Sequence, residues 1–156
     1  MLDDRWLVAH HEAAHAMAAA VLGEPVYSIS IYDDGCGLFR GTAPTSLSFS
    51  EEQRALQNLC SDWRRAGGPQ DRQWVERKVV ICLSGAHSDR ILVDDDRAAA
   101  GCGIDYEQAR NLIATLPLSE RQQEAAFKYA DERAGRLVRR YWRQVRALAT
   151  FAYCSP

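Results

Sequence analysis

The first part of the chain carries apolar residues at helical spacing. The run from Asp3 to Leu22 contains no Pro or Gly, Asp3 or Asp4 can cap its start, and Gly23 can end it. The pattern predicts a helix of about five turns whose inward stripe includes two histidines. That stripe consists of Leu7, His11, Ala14, His15, Ala18 and Leu22.

The next segment alternates with the period of a β-strand. Residues 26–32 are rich in β-formers, residues 33–37 form a predicted turn, and a second strand is predicted over residues 38–43. These strands are expected to pair as a hairpin. A loop is predicted over residues 44–50, and a capping box then begins a helix over residues 50–63.

Three more helices are predicted in the rest of the chain. The first spans residues 71–93, the second spans residues 104–116 before Pro117, and the third begins after Ser119 and continues to the C-terminal end. The apolar stripe of the third helix consists of Ala126, Ala130, Leu137, Tyr141, Val145, Leu148 and Ala152. Together the elements predict a mainly α (α+β) fold, a helical bundle with one small β-hairpin.

Length and charge narrow the class of protein. The 156 residues are expected to form one domain, residues 1–156. A net charge of −2 gives no general attraction to nucleic acid, and the arginines within residues 136–146 are interpreted as a solvated helix face. The acidic start is unlike a signal peptide, and the apolar stretch of residues 6–22 carries three histidines and a glutamate, so no membrane span is expected. Five cysteines without a C-x-x-C pair favour free thiols in the cytoplasm.

The predicted first helix contains the string His-Glu-Ala-Ala-His at residues 11–15. Residues four apart lie on one helical face, so His11 and His15 can direct both imidazoles at one metal ion. Glu12 lies about 100° round the helix, within reach of water at that ion. Two inward imidazoles without a partner would be costly to bury, and a metal ion removes that cost.

Zinc peptidases use three protein ligands and leave the fourth position for water. A metzincin would place a histidine at position 21, which is Val21, so that subclass is excluded. His10 points away from the His11/His15 stripe. His87 is interpreted as a partly exposed residue or as a residue that supports a ligand.

Asp105 is the carboxylate that stands out. It lies on the inward stripe of its helix with Ala109, Leu112 and Leu116, whereas Glu107 lies on the outer face. An acid on an apolar stripe needs a positive partner, and Zn²⁺ would supply one. The competing interpretation is an acid stabilised by the dipole of the helix N-terminus. Periodicity alone leaves both interpretations open.

Three segments resemble the FtsH family of membrane-anchored, ATP-dependent zinc peptidases. Residues 11–16 resemble its HEAGHA string, residues 84–90 its Gly-Arg-Ala-Ala-Glu segment, and residues 101–109 its Gly-Ala-Ser-Asn-Asp-Leu-x-x-Ala segment. The last aspartate of that third segment is the family's third zinc ligand, and Asp105 matches it. The resemblance thus implies a zincin-like, FtsH-peptidase-like bundle with its hairpin near the active site. The sequence has no G-x-x-x-x-G-K-[ST] phosphate loop and only ten residues before His11, so neither the family's ATPase module nor its membrane anchor is expected.

These residues predict a zinc metalloendopeptidase that acts on unfolded protein or peptides without its own ATPase. His11, His15 and Asp105 would hold Zn²⁺, and Glu12 would act as the general base. One alternative is a non-catalytic zinc-containing adaptor derived from a peptidase, and another is a protease dedicated to one regulatory partner. A separate ATPase or regulator stays open as a partner, and nucleic acid is not expected to be one.

Overall fold

The computed structural model describes residues 3–33, 39–42, 69–93 and 103–155. The predicted loop 44–50, the predicted helix 50–63 and the segment 94–102 lie outside the described residues. Those described form five helices and one hairpin: α1 (Asp4–Val21), β1 (Ser30–Asp33), β2 (Phe39–Thr42), α2 (Pro69–Leu92), α3 (Gly103–Ala114), α4 (Glu120–Arg140) and α5 (Trp142–Cys154). A mainly α bundle with a small hairpin is therefore confirmed.

Helix α1 lies between α2 on one side and α5 on the other. The side chain of Asp3 accepts a hydrogen bond from the backbone N–H of Arg5 and caps its start, and Gly23 takes a φ of 78° just after it ends. Alanine fills most of its buried positions, so neighbouring helices can approach on several sides. The fully or nearly fully buried alanines are Ala9, Ala13, Ala14, Ala16, Ala18 and Ala19.

Two apolar clusters make up most of the core. One joins α2, α3 and α4 through residues such as Val79, Leu83 and Leu112. The other joins α1 to the end of α4 and to α5 through residues that include Met17 and Val145. Because α2 packs against α1, α3 and α4, it is the element that brings the sequence-distant helices α1 and α3 to one place.

The hairpin begins later than the alternation predicts. The first strand was expected from residue 26, but β1 starts at Ser30, which pairs with Thr42, the last residue of β2. Residues 26–29 alternate in polarity without belonging to the paired strand, because alternation indicates a half-buried surface and does not supply a partner. Ile31 packs against the cluster between α1 and α5 and so holds β1 beside α1, the motif helix that carries the His-Glu-Ala-Ala-His string.

The predicted single final helix is two helices that meet at Tyr141, where φ is −106° and ψ is 20°. Backbone hydrogen bonds continue across this point, since the N–H of Tyr141 donates to the carbonyl of Leu137 at 3.0 Å. The main packing partner also differs, since α4 packs against α2 whereas α5 packs against α1. Within α5, Val145 and Ala152 of the predicted stripe are buried, whereas Leu148 is 37% exposed and Ala149 is buried in its place.

Candidate metal centre

His11 and His15 lie one turn apart on α1 and face α2 and α3. Their ring centroids are 4.7 Å apart, and the two rings meet nearly at right angles. The exposed fractions of the two side chains are 15% and 12%, so both imidazoles are largely removed from water. Helical spacing alone therefore delivers two nitrogen atoms to one half-buried place.

The carboxylate of Asp105 reaches the same place from the first turn of α3. Its Oδ2 lies 2.9 Å from Nε2 of His11 and 3.5 Å from Nε2 of His15. The three ligand atoms all lie within 4.8 Å of one another. Tetrahedral zinc with bonds of about 2.0–2.2 Å would separate its ligand atoms by roughly 3.4 Å. The spacing of the three atoms suits a single zinc ion once the 2.9 Å distance between Nε2 of His11 and Oδ2 of Asp105 lengthens slightly.

Gly85 of α2 lies directly against the two imidazoles. A Cβ atom at this position would lie 2.5 Å from Nε2 of His11 and 2.6 Å from Nε2 of His15. Those distances are far too short for a carbon atom and only slightly longer than zinc–nitrogen bonds. The missing side chain of Gly85 thus leaves open the volume that a bound ion would need.

The second nitrogen of each imidazole is held by α2. Nδ1 of His11 donates to Oδ2 of Asp89 at 2.8 Å, and Nδ1 of His15 donates to the carbonyl of Ile81 at 2.7 Å. In a neutral imidazole whose Nδ1 donates, Nε2 carries the free electron pair. These two contacts fix the ring orientations and direct both Nε2 atoms toward Asp105, which is the arrangement in which histidine binds metals.

The electrostatics of the metal-free site couple Asp105 to both histidines. Burial works to raise the pKa of Asp105, but hydrogen bonds from His11 and His15 outweigh it and hold that pKa well below its ordinary value. Burial works to lower the pKa of His15, but the hydrogen bond and charge of Asp105 outweigh it and raise that pKa. In the absence of a metal ion the site therefore favours a protonated His15 beside an ionised Asp105, and a bound metal ion would displace that proton.

Glu12 is a buried acid beside this group. Its exposed fraction is 9%, and burial raises its pKa, while His15 and His11 draw it back down. Its carboxylate does not belong to the group of three close ligand atoms found among the described residues. Buried carboxylates with a raised pKa are common where a protein moves protons, and Glu12 lies beside the two histidines of this group.

The two remaining histidines lie outside the group of three close ligand atoms. His10 is 1% exposed, its Nδ1 donates to the carbonyl of Trp6 at 2.9 Å, and its ring packs against Trp6 and Trp142. Nε2 of His87 lies 3.0 Å from Oδ1 of Asp131. His10 points away from the stripe, as the helical spacing predicts, and it packs into an aromatic pocket between α1 and α5.

Sequence reasoning did not single out Asp89 or the carbonyl of Ile81. A signal was present, because residues 81, 85 and 89 recur every four residues and therefore share one face of α2. Asp89 also stands where the resembling Gly-Arg-Ala-Ala-Glu segment has its acid. The apolar stripe of α2 lies on another face, and the role of Asp89 depends on the packing of α2 against α1, which no pattern along one helix indicates.

No protein-family model matches the chain. Curated relatives do match it. A chloroplastic ATP-dependent zinc metalloprotease FTSH from Capsicum annuum is 27% identical over 131 residues, which cover 80% of this chain and 18% of that protein. FTSH 1 of Arabidopsis thaliana is 27% identical over 130 residues, covering 80% of this chain and 16% of that protein, and FtsH 3 of a Synechocystis strain is 26% identical over 121 residues, covering 74% and 17%. The chain resembles the FtsH zinc metalloproteases.

The resemblance to FtsH is confined to part of those relatives. The chain spans less than a fifth of the length of each FtsH relative named above. Its mainly α bundle fits the fold expected of an FtsH-like peptidase domain. Within the described ranges, no helix has the length and apolar character required to cross a bilayer.

Proposed function

We propose that this protein is a zinc-dependent metalloendopeptidase in which His11, His15 and Asp105 hold the metal and Glu12 is the general base. The observation that carries the proposal is the close approach of three ligand atoms beside a buried carboxylate. The similarity to FtsH zinc metalloproteases supports the same metal and the same class of reaction.

The ligands in this proposal are oriented before the metal binds. Asp89 and the carbonyl of Ile81 hold the Nδ1 atoms of His11 and His15, so the Nε2 atoms need little reorganisation. Asp105 supplies the negative charge that offsets part of the charge of the ion. When bound, Zn²⁺ would polarise the scissile carbonyl and make water acidic enough to lose a proton near neutral pH.

Glu12 would accept the proton from the attacking water and then deliver it to the leaving amine. Its burial supports this role, because the raised pKa lets the carboxylate take up a proton more readily than an exposed glutamate would. A purely structural zinc site would have no use for a buried carboxylate at this position, and Glu12 therefore favours an enzyme over a zinc-containing adaptor.

The proposed substrate is an unfolded protein or a peptide in extended conformation. Each strand of a two-stranded hairpin has one edge that the other strand does not pair, and an extended peptide can add to such an edge. Ile31 holds β1 against the cluster that α1 shares with α5, which keeps the hairpin close to the motif helix. We further propose that hydrolysis itself requires no ATPase on this chain and takes place in the cytoplasm.

The test combines metal analysis with hydrolysis of casein and a peptide library in the absence of ATP. The wild-type chain should carry about one zinc and hydrolyse these substrates. Glu12→Gln should keep its zinc and lose activity by about 10²- to 10⁴-fold, because an amide cannot accept the proton. Glu107→Gln, on the exposed face of α3, is the matched control and should leave both unchanged.

Two results would overturn the proposal. A Glu12→Gln variant as active as wild type would refute the role of Glu12 as the general base. Wild-type protein that is loaded with zinc and inert toward every substrate would refute hydrolysis and favour the adaptor.

A further inference from the structure

The two acids that contact His11 are followed by residues that contact each other. Asp89 lies 2.8 Å from Nδ1 of His11, and Asp105 lies 2.9 Å from its Nε2. The next residues along the chain are Arg90 and Tyr106. The guanidinium of Arg90 donates a hydrogen bond to the hydroxyl of Tyr106, and its Cζ lies 5.8 Å from the centre of the Tyr106 ring.

This contact bridges α2 and α3 beside the candidate ligand. Farther along α3, the residues that enter the core are Ala109, Leu112 and Ile113, which lie one to two turns beyond Asp105. The residues just before Asp105 are exposed, with Ile104 exposed by 65%. In the first turn of α3, Tyr106 packs against this core, and polar contacts to α2 add to its hold.

Tyr106 contacts both α4 and α2. Its ring lies 6.0 Å from the ring of Phe127 on α4, and its hydroxyl receives the hydrogen bond from Arg90. Removal of the hydroxyl alone would preserve the packing on α4 and abolish the polar tie to α2. The two contacts can therefore be separated by experiment.

We propose that Arg90 and Tyr106 are positioning residues that set the distance between Asp105 and the two histidines and so tune zinc affinity. The inference rests on the proposed function, because it takes Asp105 as the third ligand. Arg90 holds the first turn of α3 against the same segment of α2 that orients His11 through Asp89. When this tie is lost, Asp105 is free to move away from the Nε2 atoms, and the ligand set becomes looser.

Tyr106→Phe is the most direct variant, and its metal affinity is measured by competition with a chromogenic chelator. Partners of metal ligands typically contribute 10- to 100-fold to affinity, and the exposure of this hydrogen bond places the expected loss at roughly tenfold. Tyr129→Phe, which removes the hydroxyl of a tyrosine that is 60% exposed, is the matched control and should bind zinc as wild type does.

Arg90→Gln should weaken zinc binding to a similar extent, and Arg110→Gln is its control. Arg110 lies on α3, pairs with Glu124 at 3.1 Å and lies over the ring of Phe127, so it ties α3 to α4 instead of α2. The double variant Arg90→Gln/Tyr106→Phe should bind zinc no more weakly than whichever single variant binds it less tightly, because both changes remove the same contact.

Cobalt substitution supplies a readout that simple loss of stability would not change. The visible absorption of Co²⁺ reports ligand geometry, and it should differ from wild type in Tyr106→Phe and Arg90→Gln but not in the controls. Wild-type protein that binds neither metal would refute the proposed function. Wild-type binding together with unchanged affinity and unchanged spectra in both variants would refute the positioning role alone. Equal weakening by Arg110→Gln would also refute it, since that result indicates general loosening of α3.

Discussion

Replacement of Gly85 with alanine places one methyl group where the metal ion is proposed to bind. The new Cβ would lie 2.5 Å from Nε2 of His11 and 2.6 Å from Nε2 of His15, unless α1 or α2 moved. A comfortable carbon–nitrogen contact needs about 3.5 Å, so the elements must separate by roughly 1 Å. Overpacking of this kind typically costs about 1–3 kcal/mol in stability.

The effect on zinc binding should exceed the effect on folding. The methyl group would compete with the ion for the same volume, and a shift of α1 or α2 that relieves the clash would change the spacing of the ligand atoms. We expect zinc affinity to fall at least about 100-fold, equivalent to about 2.8 kcal/mol. Competition with a chelator measures the affinity, and urea denaturation of the metal-free protein measures the stability.

Two other glycines provide controls for Gly85→Ala. A Cβ at Gly103 would have nothing within 4 Å, so Gly103→Ala should leave zinc affinity unchanged. A Cβ at Gly135 would lie 2.9 Å from the ring of His87, so Gly135→Ala should cost stability without a comparable loss of zinc. Tight zinc binding by Gly85→Ala would refute the proposed position of the metal.

Three further predictions concern the ligands and their partners. Asp105→Ala should weaken zinc binding strongly because it leaves two protein ligands, whereas Glu107→Ala should not; metal analysis after dialysis distinguishes them, and a response to Glu107 alone would mean that the wrong acid was assigned. Asp89→Asn should reduce zinc affinity by about 10- to 100-fold while the circular dichroism spectrum is retained, and unchanged affinity would remove Asp89 from the site. In the metal-free protein, protonated His15 should contribute its full stabilisation below its ordinary pKa of 6.5, and this contribution should be lost as pH rises through its raised pKa. Ionised Asp105 should contribute its full stabilisation above its ordinary pKa of 3.8, and this contribution should be lost as pH falls through its lowered pKa. Zinc affinity should instead rise with pH through the pKa of His15, because zinc requires the neutral imidazole; thermal unfolding with and without a chelator across this range measures both trends, and parallel curves would contradict the coupling.

Local spacing carried much of the information about this site. The i, i+4 relation of His11 and His15 placed them on one face of their helix. The stripe that Asp105 shares with Ala109 and Leu112 predicted that this acid points inward, and both apolar residues of the stripe are buried in the structure. These relations are set by the geometry of one helix at a time. They could therefore be predicted without knowing how any two helices pack.

Features that depend on two elements could not be predicted in this way. The carbonyl of Ile81 becomes a partner of His15 only because α2 crosses α1 at that residue, and no side-chain pattern marks a backbone carbonyl. The break at Tyr141 has no Gly or Pro to signal it, and it coincides with a change of packing partner. The late start of β1 likewise reflects where its partner strand ends.

The neighbours His10 and His11 lie on different sides of α1, and both are held in place. The ring of His10 packs against Trp142 on α5, and His11 is held by Asp89 on α2. Rotation of α1 about its own axis would break contacts on both sides at once. In the proposed peptidase, α1 would therefore be the fixed wall of the site, and adjustment to different substrates would fall to the other walls. Selectivity could then diversify through changes in those walls while α1 keeps the sequence of the proposed metal ligands.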